Sequence, residues 1–136
     1  MKREDDSNSP VTKKNDNEKE ILIVKYKKQI AANIWFQAFA QISEAWLVTK
    51  LFYLEDQVPG SHEIVYGIWL QGIGQLIEAI GVSEQLLATD NPALFKGQRT
   101  AINGDWMQSI GAAVEATGGE IVLRDSIMKD GDGFVP

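Results

Sequence analysis

One eleven-residue pattern recurs three times in this chain, and it constrains the fold more than any other feature. It reads WFQAFAQISEA at 35–45, WLQGIGQLIEA at 69–79 and WMQSIGAAVEA at 106–116. All three copies fit W-x-Q-small-[FI]-small-x-x-x-E-A, and three of the four tryptophans occupy its first position. Agreement at several fixed offsets in three places indicates internal duplication, so we expect three copies of one structural unit.

The spacing of apolar residues inside the unit is helical. At about 100° per residue, Ile73 and Ile80 fall on the same side of a helix as Trp69, whereas Gln71 and Glu78 fall on the opposite side. The other two copies repeat both sides, and no alternation with a period of two is present. We therefore predict helices whose aromatic and aliphatic side chains form the core. The tryptophans predicted to lie in that core are Trp35, Trp69 and Trp106.

Turn-forming residues divide the chain into helices. Pro59-Gly60 separates the first helix from the second, with Ser61 as a candidate N-cap, and Asp90-Asn91-Pro92 separates the second from the third. The predicted helices span about 19–55, 62–89 and 92–118. Short connections favour antiparallel neighbours, so the predicted fold class is all-α, a bundle of three long helices.

The third predicted helix can be continuous or divided into two, which would give four helices. Asn103-Gly104 is a turn signal, and Asp105 with Gln108 fits a capping box at the start of a new helix. Gly118-Gly119 is expected to end the helix.

Glycine recurs every seven residues in two of the three copies. The two lines are Gly67, Gly74, Gly81 and Gly104, Gly111, Gly118, whereas the first copy has Asn33, Ala40 and Leu47 there. A glycine in a helix interior costs about 0.5–1 kcal/mol relative to alanine, so such a line indicates close contact between helices. Gly74 and Gly111 are the predicted central contacts. The contact can form in water, as a tight helix pair, or in lipid, as an association of membrane helices.

The membrane alternative depends on residues 64–82, an apolar stretch of the length that spans a bilayer. Gln71, Gln75 and Glu78 are its strongly polar residues. A central Glu costs about 2.5–3.5 kcal/mol on insertion scales, and the three polar residues share one helix face. We therefore favour a bundle helix in water and keep the membrane helix as the alternative.

The two ends of the chain are polar. Residues 1–18 carry too few apolar side chains to offset the entropy of ordering, so a disordered tail is predicted there. The helical repeat domain is expected over 19–122, followed by a flexible tail at 123–136. Asp130-Gly131-Asp132-Gly133 in this tail matches part of a calcium loop, but the sequence carries no Glu to close it.

Charge and cysteine content exclude several classes of partner. The net charge is −6, which argues against nucleic acid and anionic lipid surfaces. The basic run Lys25, Lys27 and Lys28 is expected to be a solvated helix face. The chain has no cysteine, which excludes disulfides and thiolate metal sites. The apolar run at 21–24 is too short for a signal peptide, so a cytoplasmic location is expected.

No group of residues predicts chemistry. Glu44, Glu78 and Glu115 occupy equivalent repeat positions, but carboxylate metal centres in bundles also need Glu-x-x-His motifs, which are absent. These Glu side chains are interpreted as a polar face that pairs helices or faces solvent. His62 is the only histidine, and no nucleophile motif accompanies it. We predict no catalytic residue, no cofactor, no metal site and no enzyme activity.

The unit W-x-Q-x-[FI]-G-x-x-x-E-A, with a glycine following, resembles that of a family of repetitive helical proteins of spore-forming bacteria. Their units, of the type GxWLQAIGxxIEAIG, recur in varying number. Residues 67–81 match best, 104–119 nearly as well, and 33–48 lack the glycines. No activity is assigned to that family, so the resemblance implies an all-helical repeat architecture alone.

The sequence thus favours a non-enzymatic helical interaction or structural module. Its partner is expected to be a protein or a second copy of the chain, bound through a glycine-lined helix seam. The alternative is a leaderless membrane-active protein whose glycine-seamed amphipathic helices insert into bilayers.

Overall fold

The computed structural model describes residues 10–131, which form three helices and, over that range, no strand. The helices are α1 (Pro10–Leu54), α2 (Ser61–Leu87) and α3 (Asn91–Gly131). The predicted all-α bundle of three long helices is confirmed. Parts of the two predicted tails, residues 1–9 and 132–136, lie outside the described residues.

Helix α2 lies in the middle of the bundle and contacts both other helices. Within residues 10–131, α1 and α3 do not come within contact distance of each other, and α2·α3 is the more extensive of the two interfaces. Trp35 of α1 lies opposite Ser83 near the end of α2. Residues 10–30 of the 45-residue α1 therefore extend beyond the end of α2.

The turns between the helices follow the signals in the sequence, with one change. Gly60, not Ser61, is the N-cap of α2, and its φ of 95° lies in the left-handed region that favours glycine. Ser61 is the first helical residue, and its Oγ accepts a hydrogen bond from the Val58 amide at 3.3 Å. At the start of α3, the Asp90 carboxylate accepts a hydrogen bond from the Ala93 amide at 2.8 Å.

Helix α3 is continuous through both sites where the sequence suggested an interruption. It neither turns at Asn103-Gly104 nor ends at Gly118-Gly119, and Asp105 and Gln108 lie in mid-helix rather than in a capping box. The reason is that Gly104 and Gly118 face α2 at contact distance. Glycine is needed there for the close approach of two backbones, not for a turn.

The helices also extend into both predicted tails. Residues 10–18 belong to α1 and residues 123–131 belong to α3. Proline suits the first turn of a helix, and no Gly or Pro interrupts the chain between residues 11 and 54. In α3 the ion pairs Glu120–Arg124 and Asp125–Lys129 link successive turns of the extension.

The bundle encloses small side chains and leaves many large ones exposed. The buried apolar residues are Ala31, Ala38, Ala45, Ile68, Ala79 and Ala101. Trp35 and Trp69 are half-buried, but Trp106 is 67% exposed. The predicted core of aromatic and aliphatic side chains is therefore wrong for Ile73, Ile80 and Trp106, which are all exposed. Trp106 is exposed because α3 turns its glycines toward α2, and no helix of the described chain covers its opposite side.

Candidate functional site

The α2·α3 interface is a line of glycines on each helix, which we call the glycine seam. Its members are the N-cap Gly60 with Gly67, Gly74 and Gly81 of α2, and Gly97, Gly104, Gly111 and Gly118 of α3. A Cβ atom added to Gly74 would lie 2.7 Å from the Gly104 carbonyl oxygen, and one added to Gly111 would lie 2.7 Å from the Gly67 carbonyl oxygen. Such distances leave no room for a side chain, so the backbones of α2 and α3 are in direct contact.

Two reciprocal Gln–Glu pairs cross the interface beside the glycine seam. The Gln71 amide donates a hydrogen bond to the Glu115 carboxylate, and the Gln108 amide donates one to the Glu78 carboxylate at 2.9 Å. Glu78 also accepts a hydrogen bond from the buried amide of Gln75 at 2.8 Å. Gln and Glu at these repeat positions therefore join helices, one of the two roles that the sequence left open.

The α1·α2 interface is built from the tryptophan side of the unit. The Trp35 indole N–H donates to Ser83 Oγ at 2.9 Å, and the Trp69 indole N–H donates to Thr49 Oγ1 at 2.8 Å. Each hydroxyl in turn donates to the carbonyl oxygen four residues earlier in its own helix. Ala38, Ala45 and Ala79 are buried along the same contact, which allows the helices to approach closely.

Both interfaces repeat internally because the helices contain equivalent units. Trp35, Trp69 and Trp106 are 34 and 37 residues apart. Moving 34 residues forward from Trp35 and 34 back from Ser83 gives the second contact of that interface, Trp69–Thr49. A shift of 37 residues relates the two Gln–Glu pairs of the α2·α3 interface in the same way. Every unit thus has two sides that can pair with another helix: a Trp face and a seam face. Helix α2 uses both, α1 uses only its Trp face, and α3 uses only its seam face.

The seam face of α1 is open in the described structure. The residues equivalent to the glycine line and its Gln–Glu pair are Tyr26, Asn33, Gln37, Ala40, Glu44 and Leu47, all exposed. Glu44 therefore does not meet the carboxylates of Glu78 and Glu115. Phe36, beside Gln37, is 73% exposed. This surface combines apolar side chains with two amides, Asn33 and Gln37, and one carboxylate, Glu44.

The Trp face of α3 is open as well. Besides Trp106 it exposes Ile102, Ser109, Ala116 and Leu123. Glu120 stands where the other two units have the hydroxyls of Thr49 and Ser83, fourteen residues after the tryptophan. The face of α3 is thus more polar than the two Trp faces that pair in α1·α2.

The other residues considered for chemistry lie apart from one another. His62 packs edge-to-face on Phe52, with ring centroids 4.7 Å apart, and stacks near Tyr66 at the α1–α2 turn. Lys25, Lys27 and Lys28 are exposed along α1. Over residues 10–131, no three His, Asp or Glu side chains are grouped in a way that could hold a metal ion.

A groove of about 410 Å³ lies beside the α2–α3 turn. It is lined by Ile30, Val82, Leu86 and Leu94, with polar groups from Lys27, Gln85 and Gln98. The polar groups of this lining are thus one amine and two amides.

One described helix, Ser61–Leu87, has the length and apolar composition that crossing a membrane requires. In the bundle, 39% of its apolar 18-residue segment is buried. Two of its polar side chains, Gln71 and Glu78, have hydrogen-bond partners on α3.

Sequence reasoning missed two parts of these interfaces, although signals for both were present. The glycine seam includes Gly60 and Gly97, each seven residues before the first glycine of a predicted line. The acceptors of the two indole N–H groups, Thr49 and Ser83, both follow their own tryptophan by fourteen residues. Aligning the units beyond the eleven-residue pattern reveals both.

Comparison of the chain with models of known protein families finds no match, and comparisons with curated proteins and with solved structures find none either.

Proposed function

We propose that this protein is a non-enzymatic helical interaction module that associates with further copies of itself through its exposed apolar helix faces. In the described chain the glycine seam joins α2 to α3 of one molecule. Self-association is therefore expected through the helix faces that remain open, and not through the glycine seam.

The observation that carries the proposal is the distribution of apolar side chains. Among the described residues no large side chain is fully buried, whereas 25 large apolar side chains are exposed. Burial of apolar surface contributes about 25 cal/mol per Å², so a single copy leaves much of this stabilisation unused. Exposed apolar surface of this extent is typical of interaction sites.

The repeat supports a partner of the same kind. Each open face belongs to a unit whose other copies pair with helices of the same sequence pattern. A second copy of the chain offers the same faces, and closed homodimers are the commonest oligomers.

A membrane-active protein is the second candidate, and α2 is the observation in its favour. This helix has the length and composition of a membrane span, and its Gln71 and Glu78 side chains are hydrogen-bonded to α3, which would lower the cost of placing them in lipid. The exposed residues Ile73 and Ile80 of α2 would then face the acyl chains.

Two measurements separate the candidates. Light scattering after size exclusion gives the mass in solution, and the self-association proposal expects a multiple of the 15.1 kDa chain. Flotation with neutral phosphatidylcholine vesicles gives lipid binding, which the proposal expects to be absent. A monomeric protein that floats with the vesicles would overturn the proposal and favour the membrane candidate.

A further inference from the structure

We infer that α1 pairs with α1 of a second copy, antiparallel about a two-fold axis, through the open seam face centred on Gln37, Ala40 and Glu44. This inference rests on the proposed self-association and specifies the surface. The polar contacts would be the Gln–Glu hydrogen bonds of the α2·α3 interface, formed here between two molecules.

The first support is a self-complementary polar pair. Across α2·α3, the Gln two residues after one tryptophan bonds to the Glu nine residues after the other, in both directions. Gln37 and Glu44 are the same residue types at the same offsets from Trp35. A two-fold axis would place Gln37 opposite Glu44 of the second copy, and Glu44 opposite Gln37 of the second copy. The open seam face of α1 therefore carries both halves of the observed contact.

The second support is the match of the side chains that replace the glycines. In α2·α3 each residue two before the tryptophan meets the residue five after the other tryptophan. In an α1 pair, the same relation brings Asn33 against Ala40, two small side chains. The next step outward brings Tyr26 against Leu47, both large and apolar. These side chains hold the helices at the ordinary axis separation of about 8–10 Å, wider than the glycine seam.

The third support is the length of α1. Residues 10–30 extend beyond α2, yet Tyr26 in this extension is 57% exposed. With Tyr26 against Leu47 at both ends of the contact, an antiparallel α1 pair overlaps over at least residues 26–47. The second copy thus covers apolar side chains of α1 that its own chain leaves without a neighbour.

A charge exchange at the polar pair tests the inference. Gln37→Glu would place a second carboxylate opposite Glu44 of the second copy, at both symmetry-related contacts. We expect dimerisation to weaken by at least about ten-fold, because like charges repel across a helix contact. Adding Glu44→Lys would restore an opposite-charge contact, so the double variant is expected to recover the dimer. Both positions are exposed in the single chain, so circular dichroism should show unchanged helix content.

The measurement is sedimentation equilibrium over a concentration series, with Ser109→Glu on the open Trp face of α3 as the matched control. The inference expects this control to dimerise as the parent does. If Ser109→Glu dissociates the protein and Gln37→Glu does not, the α1 interface is wrong while self-association stands. A parent that remains monomeric at every concentration would overturn both. Failure of the double variant to recover the dimer would show that Gln37 does not face Glu44.

Discussion

Gly74 and Gly104 lie so close across the α2·α3 interface that a methyl group on Gly74 would come within 2.7 Å of the Gly104 carbonyl oxygen. The distance between these two helices is therefore set by backbone against backbone. Adding even one carbon atom at this point requires the helices to move apart.

Alanine at the centre of the glycine seam is expected to destabilise the fold. Gly74→Ala and Gly111→Ala should each lower the free energy of unfolding by about 1–3 kcal/mol, the usual cost of overpacking. Urea unfolding at one fixed protein concentration measures it.

Gly119→Ala is the matched control, because Gly119 also lies inside α3 but a Cβ atom added to it would have no neighbouring atom within 4 Å. It should raise stability by about 0.4–1 kcal/mol through the unfolded state. Equal midpoints for the Gly74 and Gly119 variants would contradict the close contact.

The indole hydrogen bonds between α1 and α2 can be tested by removing one hydroxyl. Thr49→Val keeps the side-chain shape but leaves the Trp69 indole N–H without its acceptor, and should cost about 0.5–1.5 kcal/mol. Thr117→Val is the control, since its hydroxyl also bonds to the carbonyl four residues earlier but lies exposed on α3. The control should stay within about 0.5 kcal/mol of the parent in thermal unfolding. The same loss in both variants would mean that the indole bond adds nothing.

Equivalent glutamates in different surroundings should respond differently to truncation. Glu78→Ala leaves the Gln75 amide, 5% exposed, without its acceptor, and should destabilise by about 1–3 kcal/mol. Glu44→Ala removes an exposed carboxylate and should have little effect on unfolding at concentrations where the protein is monomeric. Chemical denaturation followed by circular dichroism distinguishes them, and a larger loss for Glu44 would contradict the assignment of the faces.

Trp69 and Trp106 occupy the same repeat position but should differ in their contribution to stability. Trp69→Ala removes a half-buried side chain and its hydrogen bond, for which about 2 kcal/mol is expected. Trp106→Ala removes a side chain that is 67% exposed and should change the stability of the monomer by less than about 0.5 kcal/mol. Comparable losses, measured by urea unfolding of dilute protein, would show that Trp106 is covered in solution.

The repeat and its periodicity were enough to predict the helices, the connections near residues 60 and 90, and glycines at close contact. They could not predict which side of the unit each helix uses. Trp35, Trp69 and Trp106 have the same local sequence pattern, and their burial depends on which neighbour lies beside each helix. The sequence also did not predict where α3 ends, because glycine pairs such as Gly118-Gly119 indicate a helix end in most contexts. Here Gly118 lies against the carbonyl oxygen of Gly60, a contact that only the folded chain reveals.

The heptad spacing of the glycine seam has a consequence for the register of the hairpin. Sliding α3 by seven residues along α2 would again set glycine beside glycine, so the seam alone does not select one alignment. The Gln–Glu pairs do: one slip would bring Glu78 opposite Glu115, and the other would bring Gln71 opposite Gln108 and Glu78 opposite Ala101. Either slip exchanges two hydrogen-bonded pairs for a carboxylate repulsion or an unpaired carboxylate, both costly at a partly buried contact. The glycines allow the two helices to pack closely, and four polar side chains determine the register in which they pack.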